Sequence, residues 1–183
     1  MTKKNTLILS ILISLFFIQC QKTSTDFLIT ADSVGKLKRD TTVSDLETIF
    51  VTDSVVRDTS TSKLRSSTKR IQIYEKGGQH LLTLTPSTDS IPKIENIRIM
   101  DSRFVTEKGI GFSSTFKEIK DNYDIKNTIT TMNNVVIYLK DSDMYFTISK
   151  EELPTSLRYA ASSNVEAVQI PDEAKVKYFM VGW

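Results

Sequence analysis

Apolar positions first gather in one run, Leu7 to Ile18, broken only by Ser10 and Ser14 and preceded by Lys3 and Lys4. A basic start, a short apolar stretch and no acid in the first 20 residues is the layout of an export signal. Twelve helical residues rise about 18 Å against a hydrocarbon core of about 30 Å. The run therefore predicts a transient signal segment over residues 1–19, not a permanent span.

Beyond it, three blocks recur in the same order, the mark of an internal repeat. The first is Val34-Gly35 followed by Thr42 to Phe50, against Ile110-Gly111 followed by Thr115 to Tyr123. In each, a threonine stands three residues before an acid, Thr42 before Asp45 and Thr115 before Glu118, as in a helix capping box. Val43, Leu46 and Phe50, like Phe116, Ile119 and Tyr123, then share one face, so each block predicts a short amphipathic helix. The second block, Ile71–Thr85 against Val135–Ser149, alternates apolar and polar residues around Gly77-Gly78 and Asp141-Ser142 and predicts two β-hairpins. In the gapless alignment His80 matches Met144. The third, Ile91-Pro92 to Met100 against Ile170-Pro171 to Phe179, predicts a closing strand, with Ile99 matched to Tyr178.

The offset between blocks is 73, then 64, then 79 residues, so insertions fall in connections. Nine extra residues precede the first hairpin, within the Ser/Thr-rich stretch Asp53–Lys69, which reads as a surface loop. Fifteen follow the second hairpin, where Leu153-Pro154 and Leu157–Ala161 suggest a further short helix. The order predicts an α+β fold: two tandem copies of a helix–β-hairpin–strand unit, mainly antiparallel sheet with short helices packed on one face. Copy one runs from about 27 to 104 and copy two from about 105 to 183, as a single duplicated domain. The pattern leaves open whether the copies share one sheet.

Composition sharpens the export reading. The single cysteine, Cys20, directly follows the apolar run in Phe17-Ile18-Gln19-Cys20, where a lipoprotein signal peptidase would expose it for acylation. Residues 20–26 then form the lipidated cysteine and a short polar tether that holds the domain near a bilayer. Removing residues 1–20 takes away two lysines and no acid. The 24 basic and 22 acidic residues of the whole chain thus come to parity. A neutral mature chain gives no support to nucleic-acid binding, and with Cys20 committed no disulfide or thiolate chemistry remains.

Val34-Gly35, the segment Ile94–Ser102, Gly109-Ile110-Gly111 with Thr115-Phe116, and Leu153-Pro154 ahead of a last strand ending near Trp183 resemble the RpoE-regulated lipoprotein family. The resemblance implies a Gram-negative outer-membrane lipoprotein facing the periplasm, and Gln21 after the lipidated cysteine fits that sorting. It supplies no catalytic residue to carry over.

The residues offer little chemistry of their own. His80 is the single histidine, so a Ser-His hydrolase would rest on it alone. No Cys or His set can hold zinc, Asp141-Ser142-Asp143 lacks the rest of a calcium loop, and adjacent Glu151-Glu152 would point apart on a strand. Gly35 and Gly111 are single glycines set apart from their helices, which suits backbone geometry better than a phosphate cradle. What recurs is polar and aromatic: Tyr74 with Tyr138, Lys76 with Lys140, Thr83 with Thr147. The expectation is a non-enzymatic module without cofactor or metal. It would bind an envelope protein or peptide through Tyr74, Tyr138, Lys76 and Lys140. The alternatives are a small inhibitor or chaperone-like envelope stress factor, and then a hydrolase.

Overall fold

The computed structural model describes residues 25–58, 70–159 and 164–183. The expected signal segment, Cys20, the tether through residue 24, residues 59–69 of the Ser/Thr-rich stretch and residues 160–163 lie outside them.

In chain order the described residues form strands β1 (Leu28–Ile29), β2 (Ser33–Val34) and β3 (Leu37–Lys38), helix α1 (Leu46–Ile49), and strands β4 (Ser54–Arg57), β5 (Ile71–Tyr74), β6 (His80–Pro86), β7 (Ile94–Ile99) and β8 (Val105–Thr106). There follow helix α2 (Phe116–Asn122), strands β9 (Ile125–Thr130), β10 (Asn134–Leu139) and β11 (Met144–Ser149), helix α3 (Thr155–Arg158) and strand β12 (Val176–Gly182). One sheet of eight strands runs β4-β5-β6-β7-β12-β11-β10-β9, antiparallel throughout. A small sheet, β3-β2-β1-β8, lies over one of its faces.

This architecture corrects the expected α+β class: the molecule is mostly β, a sandwich of two unequal sheets. The helices expected after Thr42 and Thr115 begin where the capping residues place them, with Asp45 and Glu118 accepting from the Thr42 and Thr115 amides at 3.1 and 2.7 Å. They then stop after four and seven residues, too short to form a layer. Strands take their place. Ser54–Arg57, expected in a loop, pairs with β5, and Ile125–Thr130, assigned no structure from its pattern, pairs with β10. The two-residue strands β1, β2, β3 and β8 are too brief to show any alternation.

The core follows from the period of two. Ile73, Leu82, Leu84, Ile97, Ile99, Ile137, Phe146, Ile148 and Phe179 point to one face of the large sheet and are fully buried. Val34 and Leu37 of the small sheet, Leu46 of α1, and Phe116 and Ile119 of α2 close over them. At the centre, the Phe146 and Phe179 rings stack with centroids 4.5 Å apart.

β7 and β12 join the two halves of the large sheet, with Ile99 opposite Phe179 and Ile97 opposite Val181. Leu82 faces Ile99 in the first half and Phe146 faces Phe179 in the second. Ile99 therefore corresponds to Phe179, one residue away from the expected match with Tyr178. An approximate twofold axis, perpendicular to the sheet, passes through the Ile99–Phe179 pair. The hairpins carry a second shift. Ile73 faces Leu82 and Ile137 faces Phe146, but the next pairs are Tyr74–His80 and Tyr138–Tyr145. A bulge at Leu81 turns that side chain into the core, so the partner of His80 in the other half is Tyr145, not Met144.

Arg103 ties the N-terminal turn Thr25–Phe27 to the end of the large sheet. Its guanidinium bonds both oxygens of Asp101 (3.0 and 2.9 Å) and both of Glu75 (3.1 and 2.8 Å), and lies 4.3 Å from the Phe27 ring centre. Asp101 is 5% exposed, and the hydrogen bond from Arg103 holds its pKa below the ordinary value, as it does for Glu75. Gly35 seals the same corner: at φ +54° its missing Cβ would stand 2.2 Å from the Asp26 carbonyl oxygen.

Unfolding of three variants checks this. Arg103→Met strips Asp101 of its guanidinium partner but keeps the Arg103 backbone amide at 2.9 Å and Gln79, and is expected to cost about 1–2 kcal/mol in urea unfolding. Gly35→Ala, facing both a left-handed backbone and a collision, is expected to cost more than about 2 kcal/mol. Gly109→Ala, at φ +75° with nothing within 4 Å of the added carbon, should cost about 1 kcal/mol.

Candidate functional surface

The opposite face of the large sheet is uncovered by any described element, and the same alternation that fills the core decides what stands on it. One row crosses all eight strands, Val56, Gln72, Thr83, Arg98, Met180, Tyr145, Tyr138 and Asn127, each paired with the next. A second row, Tyr178, Thr147, Val136 and Ile129, lies one pleat away on the last four strands. Neither row contains a carboxylate.

Ring contacts stiffen this face. Tyr74 stacks on His80 at 4.5 Å and Tyr138 on Tyr145 at 5.4 Å, at positions the twofold relates. Asn96 donates its amide to the Tyr145 hydroxyl at 2.6 Å, and burial pushes that phenol's pKa upward. The Arg98 guanidinium lies 3.9 Å from the centre of the Tyr178 ring, and among the described residues it has no carboxylate partner. Val56 and Ile129, on the two outermost strands, are each 47% exposed.

Of the residues expected to meet a partner, Tyr74 and Tyr138 both stand on this face, but five strands apart, about 24 Å. Lys76 and Lys140 are not brought together: the twofold sends the 75–79 and 140–143 turns to opposite ends of the sheet. Arg98 and Tyr178 escaped the sequence reading because the one-residue shift in the closing strands hid that they are counterparts, and Tyr145 because the bulge at Leu81 hid its correspondence with His80.

Lys140 lines a cleft of about 560 Å³ at the end of the sheet, between Ile29–Ala31, the C-terminal end of α2 and the 140–143 turn. Its walls mix Lys108 and Lys120 with Asp121, Asp124 and Asp143, and several of these are already paired. Asp143 meets Arg39, Lys120 meets Asp172 and Asp121 meets Lys117. Among the described residues no group of three or more His, Cys, Asp or Glu side chains converges as a metal site requires, and no helix is long and apolar enough to cross a membrane.

His80 Nε2 lies 3.1 Å from both the Leu82 carbonyl oxygen and the Thr83 hydroxyl. A catalytic base of the Ser-His kind is oriented by a carboxylate that stabilises its imidazolium; here the neighbouring charge is Arg98. Burial chiefly, with repulsion from Arg98, lowers the His80 pKa below its ordinary 6.5, against a raising contribution from the Leu82 carbonyl. The folded state thus resists a proton that the unfolded chain accepts, so stability is lost as pH falls through and below 6.5. An NMR titration of this single histidine is expected to report a midpoint below 6.5 that Arg98→Gln raises. His80→Gln should flatten the loss of stability in that window.

No family model and no curated protein matches the chain. Among solved structures, it is similar to the crystal structure of the uncharacterized protein YfeY from Escherichia coli, with a TM-score of 0.50 at 14% identity, covering 85% of this chain and 99% of that one. At that identity the likeness is one of fold alone.

Proposed function

We propose that the chain is an exported lipoprotein, acylated at Cys20 and held at the outer membrane facing the periplasm, whose domain binds a protein or peptide partner without catalysing a reaction. The observation that carries the binding reading is the row Thr83-Arg98-Met180-Tyr145-Tyr138, uncovered by any described element, with Arg98 held over the Tyr178 ring and, among the described residues, without a carboxylate partner. Tyrosine and arginine dominate the binding energy of protein interfaces, because they combine large apolar area with polar tips and lose little freedom when already ordered. Stacked cross-strand rings supply that order in advance. The export reading rests on the residue pattern before Cys20 and on the family resemblance.

A photo-reactive amino acid at Met180 is expected to give a discrete cross-linked adduct in intact cells, whereas one at Lys117, on α2 away from the open face, should give none. Arg98→Glu should lower the adduct yield at least about tenfold. Equal labelling from both positions, or none from Met180, rejects the reading. For the anchor, labelled palmitate is expected to enter the wild-type chain and to be lost in Cys20→Ser.

A further inference from the structure

Strand directions place several features at one end of the large sheet. β7 finishes beside the start of β6, since Leu82 faces Ile99 and the Met100 amide bonds the Leu81 carbonyl. β12 starts at that same end, where Val176 faces Ile148 near the finish of β11, and Asn134, the start of β10, faces Ser149. The 75–79 turn, the 131–133 turn and the segment from Lys150 to Tyr159 thus lie along one end. The Lys150 amide bonds the Asn133 carbonyl and Arg158 bonds the carbonyls of Glu151 and Leu153, which packs the last two together. Here Met132 is 88% and Tyr159 77% exposed, and Lys76 is exposed in the 75–79 turn on the other half of the same end. The first described residues emerge at the same end, because Phe27 packs against Arg103, which is bonded to Glu75.

We infer that this end rests on the bilayer, with Met132 and Tyr159 seated in the headgroup region and the strands standing away from the membrane. The inference depends on the acylation of Cys20 proposed above. Only five residues lead from Cys20 to Thr25, a reach of at most about 18 Å. The end from which Thr25 emerges cannot stray farther than that from the acyl chains. An exposed methionine and a tyrosine suit that boundary, since a tyrosine there keeps its ring in the apolar layer and its hydroxyl in water. The open face then looks sideways along the membrane, where a partner can reach it.

The test uses the full, acylated chain in vesicles of phosphatidylethanolamine and phosphatidylglycerol, with an environment-sensitive fluorophore on one introduced thiol. Cys20 is blocked by its lipid, so Met132→Cys, Tyr159→Cys and Thr88→Cys, in the loop between β6 and β7 at the far end, are labelled singly. Blue-shifted emission quenched by brominated lipid is expected at 132 and 159, and water-like emission at 88. Water-like emission at all three in protein that floats with the vesicles overturns the orientation and leaves the anchor standing. A blue shift at 88 alone also overturns it. Protein that fails to float and carries no fatty acid sinks both readings.

Discussion

The pairing of β7 with β12 is the contact on which everything else depends. It is the one place where the halves of the large sheet touch through backbone hydrogen bonds, and it brings Ile99 against Phe179, with Phe146 stacked on the latter. Side chains alternate with a period of two, so a slip of one residue here would turn one half over. Phe146, Ile148 and Ile137 would go to solvent while Tyr145, Thr147 and Tyr138 went inside. Fully burying one such apolar side chain contributes about 1.5–3 kcal/mol. The slipped register forfeits several of these at once, against a native stability of about 5–15 kcal/mol, so the observed register is strongly specified.

The same constraint produces the open face. A twofold perpendicular to the sheet keeps the inner residues of both halves on one side, where the small sheet and the short helices cover them. It leaves the alternate residues of both halves together on the other. The surface is a by-product of how the core is satisfied, but its content is not: nothing in core packing requires Arg98 to lack a carboxylate, or rings to pair across both hairpins. The sheet margins are handled separately. Asn164 and Val165 bond Thr128 and Thr130 and so shield the β9 edge from further strand pairing.

What was legible in the residues was whatever rested on a long or chemically distinctive signal. The hairpin segments around Gly77-Gly78 and Asp141-Ser142 could be read because six or more residues alternate and the turn residues stand between. Both glycines have positive φ, as does Asp141 at +49°. The capping threonines marked real helix starts, but a cap says where a helix begins and not how far it runs, and from this the wrong fold class followed. Strands of two residues leave no periodicity to find. The open face was half legible: Tyr74 and Tyr138 stood out because they recur, whereas Arg98 and Tyr178 were set one residue out of line by closing strands whose bulges at Glu95 and Lys177 break the alternation.

The departures from symmetry say more about recognition than the symmetry does. A face that is twofold in shape offers a partner two equivalent ways of lying on it, half a turn apart, and so cannot by itself fix a direction. Arg98 and Tyr178 are counterparts about the axis, yet one is a cation and the other an aromatic ring, and they lean on each other across the centre. His80 and Tyr145 also differ, an imidazole standing where the other half has a phenol. Charge is therefore polar along a surface whose outline is not. An asymmetric partner with a negative group off-centre would lose that interaction when turned half round, which is how a nearly symmetric scaffold could read direction through Arg98.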